Sequence, residues 1–127
     1  MRTNSRLIIG VDFDGTCVLH EYPKVGADVP NAVRVLQRLQ EEGYLFVLNT
    51  MRSHRDGTLW PAINWFKDHG LRLYGINHNP DQAAWTDSTK TYANIYIDDA
   101  ALGCPLIRPA AGRPYVDWNA VEAWFKA

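Results

Sequence analysis

The apolar run Leu7-Ile8-Ile9-Gly10-Val11, followed at once by Asp12-Phe13-Asp14-Gly15-Thr16, constrains this chain more than any other stretch. An apolar run without polar alternation suits a strand covered on both faces, as in a parallel sheet. Two carboxylates one residue apart, then a glycine turn, concentrate negative charge at the end of that strand. With the period-two alternation of a strand, Asp12 and Asp14 can face one site while Phe13 packs elsewhere. Such charge is costly unless something positive binds there. A hard cation, which takes oxygen ligands and can bridge to a phosphate, meets the requirement. The same residues also suit a solvated turn, where Asp and Gly tolerate unusual φ/ψ.

The rest of the chain supplies a context. After a polar turn through His20, Glu21, Tyr22, Pro23 and Gly26, residues Val29, Ala32, Val33, Leu36 and Leu39 recur at helical spacing, with Gly43 as the stop. Tyr44 to Asn49 reads as a second buried strand. Leu59, Ala62, Ile63 and Phe66 mark a second helix closed by Gly70; Leu71 to Tyr74 is a weaker third strand and Asn94 to Ile97 a fourth. Asp117 is placed to cap a last helix carrying Val121, Trp124 and Phe125, and a short fifth strand is expected near Leu106 or Tyr115. Alternation of strand and helix predicts an α/β, doubly wound, mainly parallel sheet with helices on both faces. Ligands of such sheets sit beyond the carboxyl ends of the strands, where strand order reverses.

Length and charge narrow the function. At 127 residues the chain is expected to form one domain, residues 1–127, and 46% hydrophobic with 21% charged residues is ordinary for a globular protein. A formal net charge of -1 leaves no footprint for nucleic acid or an anionic membrane. Cys17 and Cys104 are too few for a disulfide framework. No run approaches the length that crosses a bilayer, and Met1 to Arg6 leads into a strand rather than a signal-peptide core. The expectation is a cytoplasmic protein without membrane partners.

Three further strand ends carry polar groups. Asn49-Thr50-Met51-Arg52 offers a hydroxyl that can bond a phosphate oxygen and an arginine that can add a charged fork. Asp98-Asp99 closes the fourth strand, and adjacent buried carboxylates demand a cation. Lys90, just upstream, can neutralise a phosphate or a carboxylate. A capping threonine, a surface arginine and a solvated lysine are the bland alternatives for each residue taken singly. The set is more informative than its members.

The order Asp-x-Asp-Gly-Thr, then Thr after the second strand, then Lys, then Asp-Asp resembles the haloacid dehalogenase superfamily of phosphatases and phosphotransferases. The resemblance implies a magnesium-dependent phosphatase working through an aspartyl-phosphate. It implies Asp12 as nucleophile, Asp14 as acid and base, and Thr50 and Lys90 as phosphate-holding groups. Gly15, Thr16, Met51, Arg52 and His54 are expected around the substrate. The magnesium site would draw on Asp12, Asp14 (through its main-chain carbonyl), Asp98 and Asp99, with Asp99 touching the metal and Asp98 acting through water. An acid/base carboxylate at Asp14 argues for phosphoryl transfer, since a halide leaving group needs no proton.

Residues 17–29 and 75–89, the places where larger relatives insert a cap domain, are too short for a separate fold. A capless member is expected, suited to a macromolecular phosphate end or a small phosphate ester, with a homo-oligomer left open. Substrate choice would lie in these segments, which hold His20, Glu21, Tyr22 and Lys24, and Asn77, His78, Asn79, Asp81, Gln82 and Trp85. Two other classes remain. A receiver-type signalling domain uses similar groups, but places its adjacent acidic pair at the first strand. A non-catalytic descendant would bind phosphate and magnesium without turnover.

Overall fold

A computed structural model describes residues 7–126; the reading of Met1 to Arg6 lies outside the described residues. Four strands form the main sheet: β1 (Ile8–Val11), β2 (Leu45–Leu48), β3 (Leu73–Ile76) and β4 (Ile95–Ile97). Their order is β3-β2-β1-β4, and every pairing is parallel. Helices α1 (Ala32–Glu41) and α2 (Leu59–Asp68) make the first two crossovers. The chain therefore winds one way from β1 to β3 and returns to place β4 on the other side of β1. The reversal lies between β1 and β4, so the ligand crevice of such a fold opens where Val11 leads into Asp12 and Ile97 into Asp98.

The third strand begins two residues later than the pattern suggested. Leu71 is buried as part of the approach, and a register shift opposite Phe46 and Val47 skips Tyr74. At Gly75 a Cβ would meet the His78 carbonyl at 1.9 Å, so only glycine lets the chain turn so closely there.

One face of the sheet carries the main core. Ile9, Val11, Phe46, Leu48 and Ile97 meet Val35, Leu36 and Leu39 of α1, Ala62, Trp65 and Phe66 of α2, and Val121 of α3 (Trp118–Lys126). The buried apolar residues of all three helices join this one cluster. The opposite face, with Ile8 and Val47, is packed by Ala93 and flanked by Tyr74. Its cover comes from the crossover between β3 and β4, which contains a single 3-10 turn, Gln82–Ala84, in place of a helix. Two buried amides organise that crossover. Asn79 donates to the Tyr92 carbonyl and accepts from the Asp81 amide, while Gln82 donates to the Ser88 and Lys90 carbonyls and accepts from the Tyr92 amide. Both residues, considered above for substrate choice, are structural here.

The C-terminal part braces the first turn of the chain. Strands β5 (Leu106–Ile107) and β6 (Tyr115–Val116) pair with each other, antiparallel, rather than extending the sheet. The Val116 amide donates to the Gly15 carbonyl, and the buried Trp118 indole donates to the Thr16 carbonyl at 2.7 Å. Asp117 caps α3, accepting from the Ala120 amide, and Glu122 ties α3 to Arg34 and Arg38 of α1. The turn after β1 is thus held from behind by α3.

Replacing Trp118 by Phe keeps most of the apolar volume but leaves the Thr16 carbonyl unpaired. We expect a loss of about 1–3 kcal/mol by chemical denaturation. Leu102→Ser, at a fully exposed position, should change stability by no more than about 0.5 kcal/mol.

Candidate active site

Strand geometry brings Asp12 and Asp98-Asp99 to the same edge, because β1 and β4 are paired in register, Val11 opposite Ile97. The Asp12 amide continues the ladder by donating to the Ile97 carbonyl. One carboxylate oxygen from each of Asp12, Asp98 and Asp99 lies within 4.8 Å of the others. A six-coordinate magnesium ion with bonds of about 2.0–2.1 Å spans roughly 4 Å between opposite ligands. The three acidic side chains therefore match a hard divalent cation in donor type and in spacing.

Electrostatics point the same way. The Asp12 carboxyl is pushed up from 3.8 to about 8, first by burial, then by its hydrogen bond to Asp99 and the charge of Asp98; a hydrogen bond from Thr16 opposes these. Three half-buried carboxylates this close favour uptake of a proton or a cation. A cation would take the proton's place.

The turn residues organise this cluster instead of lining a substrate. Thr16 is fully buried; its hydroxyl donates to Asp12 Oδ2 at 2.9 Å and accepts from the Asp99 amide at 3.2 Å. It joins the ends of β1 and β4. Gly15, with φ +84°, lies beneath the His20 and Asp99 side chains. The neighbouring Cys17 thiol donates to the Asp12 carbonyl, and burial raises its pKa, which makes it a packing group.

Asp14 leaves the cluster. Its carboxylate receives a bidentate fork from Arg52, Nε to Oδ2 and Nη2 to Oδ1, both at 2.8 Å. The remaining Arg52 donors go to the carbonyls of Pro23, Lys24 and Thr58. All five N–H groups of this residue are thereby used. Arg52 is 2% exposed and sandwiched between the rings of Phe13 and Tyr22, 5.1 and 5.2 Å from their centroids. The fork expected to grip a phosphate thus grips Asp14, which corrects the assignment of Arg52 as a substrate contact. Arginine reach and burial were not visible in the residue pattern.

Thr50 sits at the end of β2 with its amide held by the Asn77 side chain at 2.8 Å. Its hydroxyl accepts from the Arg52 amide at 3.1 Å and keeps its own proton to donate. Met51 is almost fully exposed beside it, and His54 is exposed as well. Lys90 is exposed, forms no ion pair among the described residues, and shares a hollow of about 420 Å³ with Asn49 and Asp98. A second hollow, lined by Tyr96, Leu102, Trp124 and Phe125, is apolar and carries none of these groups.

His20, named above for substrate choice, meets Asp99: its Nε2 lies 2.9 Å from Asp99 Oδ2 across 79 positions of chain. Asn77, from the other segment named for substrate choice, holds the Thr50 amide through its side chain.

No protein-family model and no curated protein matches the chain. A solved structure, that of a conserved protein from Bacteroides thetaiotaomicron, is similar to it: 34% identity over 95% of this chain and 90% of that one, with a TM-score of 0.76. Identity and coverage of this order go beyond a shared architecture. The chain belongs to the same family as this conserved Bacteroides protein.

Proposed function

We propose that the chain is a magnesium-dependent phosphatase of the haloacid dehalogenase type, hydrolysing a phosphate monoester through an aspartyl-phosphate on Asp12. The observation that carries this reading is the separation of two carboxylates from one turn. Asp12 joins Asp98 and Asp99, whereas Asp14 is held apart by Arg52. Two carboxylates in different environments can serve two roles.

Asp12, Asp98 and Asp99 would hold the cation, which supplies charge neutralisation between an attacking carboxylate and a phosphate dianion. Asp12 attacks phosphorus in line, with the Thr50 hydroxyl and the Lys90 ammonium stabilising the equatorial oxygens. To serve the departing oxygen, Asp14 must first exchange an Arg52 bond for a proton, which it then gives up; as a carboxylate it takes one from the water that opens the acyl phosphate. Arg52 keeps Asp14 in place beside the turn.

Hydrolysis of an aryl phosphate should stop on chelation and return with magnesium, and Asp12→Asn should lower the rate by more than about 10³-fold. Metal-independent turnover, or an active variant, contradicts the reading.

Arg52→Lys retains the charge but loses the fork. For an alkyl phosphate, whose leaving group needs the acid, kcat/KM should fall by about 10²-fold; for a nitrophenyl ester it should fall far less. Equal losses on both esters would show that Arg52 does not act through Asp14.

The raised Asp12 carboxyl gives a pH dependence. A group titrating at about 8 when folded and near 3.8 when unfolded stabilises the fold fully below the lower value. That contribution is lost as pH rises through the upper one. The metal-free chain should therefore melt at progressively lower temperature across this window. The rise in Tm on adding magnesium should be larger above about pH 8 than near pH 6, because the ion competes with that proton. An increment independent of pH would contradict the assignment of Asp12 as a ligand.

A further inference from the structure

The segment between the first turn and α1, residues 17–29, is tied down along its length. The Leu19 amide donates to the Ala27 carbonyl, the Val29 amide to the Cys17 carbonyl, and Val18 bridges to Asp28. Asp28 accepts the indole N–H of Trp65 from α2 at 2.8 Å. A Cβ on Gly26 would meet the Leu19 carbonyl at 2.3 Å, so the two limbs of the segment lie in contact. This is a fixed strap, not a lid.

From the strap, His20 reaches Asp99, and both side chains are 15% exposed. His20 Nε2 and Asp99 Oδ2 share a hydrogen bond of 2.9 Å. The pair lies directly on the backbone of Gly15, where a Cβ would stand 2.1 Å from Nε2 and 2.4 Å from Asp99 Oδ2. Any side chain at position 15 would dislodge it. Asp99 is held at two points: its amide by Thr16 and one carboxylate oxygen by His20. With Oδ2 fixed, rotation of the carboxylate is set, and that rotation brings Asp99 into the cluster with Asp12 and Asp98.

We infer that His20 is a positioning residue of the cation site, fixing the Asp99 carboxylate so that a divalent ion is bound without reordering it. This inference rests on the cation reading of the cluster proposed above. Hydrogen-bonding partners of metal ligands typically contribute a factor of about 10–100 to affinity.

The test is calorimetric titration of the metal-free, full-length chain with magnesium alone, so the readout does not depend on turnover. His20→Ala should weaken binding about 10–100-fold while the metal-free chain melts as the wild type does. His20→Gln, whose amide N–H can reach the carboxylate, should recover most of the loss. Wild-type affinity in His20→Ala overturns the inference and leaves the cation site standing. A Gln variant as weak as the Ala variant also overturns it, since the hydrogen bond would then not be the cause. Absence of magnesium binding to the wild type removes the cation reading and this inference together.

Discussion

The arrangement depends on one crowding of charge: Asp12, Asp98 and Asp99 brought together at the end of paired parallel strands. Parallel pairing of β1 with β4 makes the crowding unavoidable, because both strands end at the same level and both lead into carboxylates. Neither burial nor hydrogen bonding relieves it fully. Burial and the neighbouring Asp99 and Asp98 raise the Asp12 carboxyl above its ordinary range. A divalent ion is the simplest counter-charge.

Around this point the structure spends its hydrogen bonds on orientation. Thr16 links the two strand ends, α3 holds the turn from behind through Trp118, and the strap of residues 17–29 reaches the two remaining carboxylates from above. His20 meets Asp99 directly; the carbonyls of Pro23 and Lys24 meet Asp14 through Arg52. One short segment thus orients two acids with different surroundings. The hollow beside Asp98 is also lined by Asn49 and Lys90.

Much of this was legible in the residues. Strand-end position alone brings Asp12 to Asp98 and Asp99, since a strand order that reverses at β1 gathers those ends. The crossover at 77–94 is where this fold class favours a helix. Its residues do not: Asn77, Asn79, Pro80 and Asp81 form turns, and the amides of Asn79 and Gln82 replace helical hydrogen bonds. The partner of Arg52 was equally hidden. A charged fork can serve a phosphate or a carboxylate, and only the fold shows that its donors are consumed. The His20–Asp99 contact was hidden because it joins residues far apart in the chain, and no local pattern announces such a pair.

The most direct test of the central claim is a crystal structure grown with magnesium and a phosphate mimic such as beryllofluoride. The account predicts one octahedral ion ligated by Asp12 and the Asp98-Asp99 pair, with the mimic attached to the Asp12 carboxylate and Asp14 still on Arg52. An ion bound elsewhere, or a mimic that leaves Asp12 untouched, would contradict it.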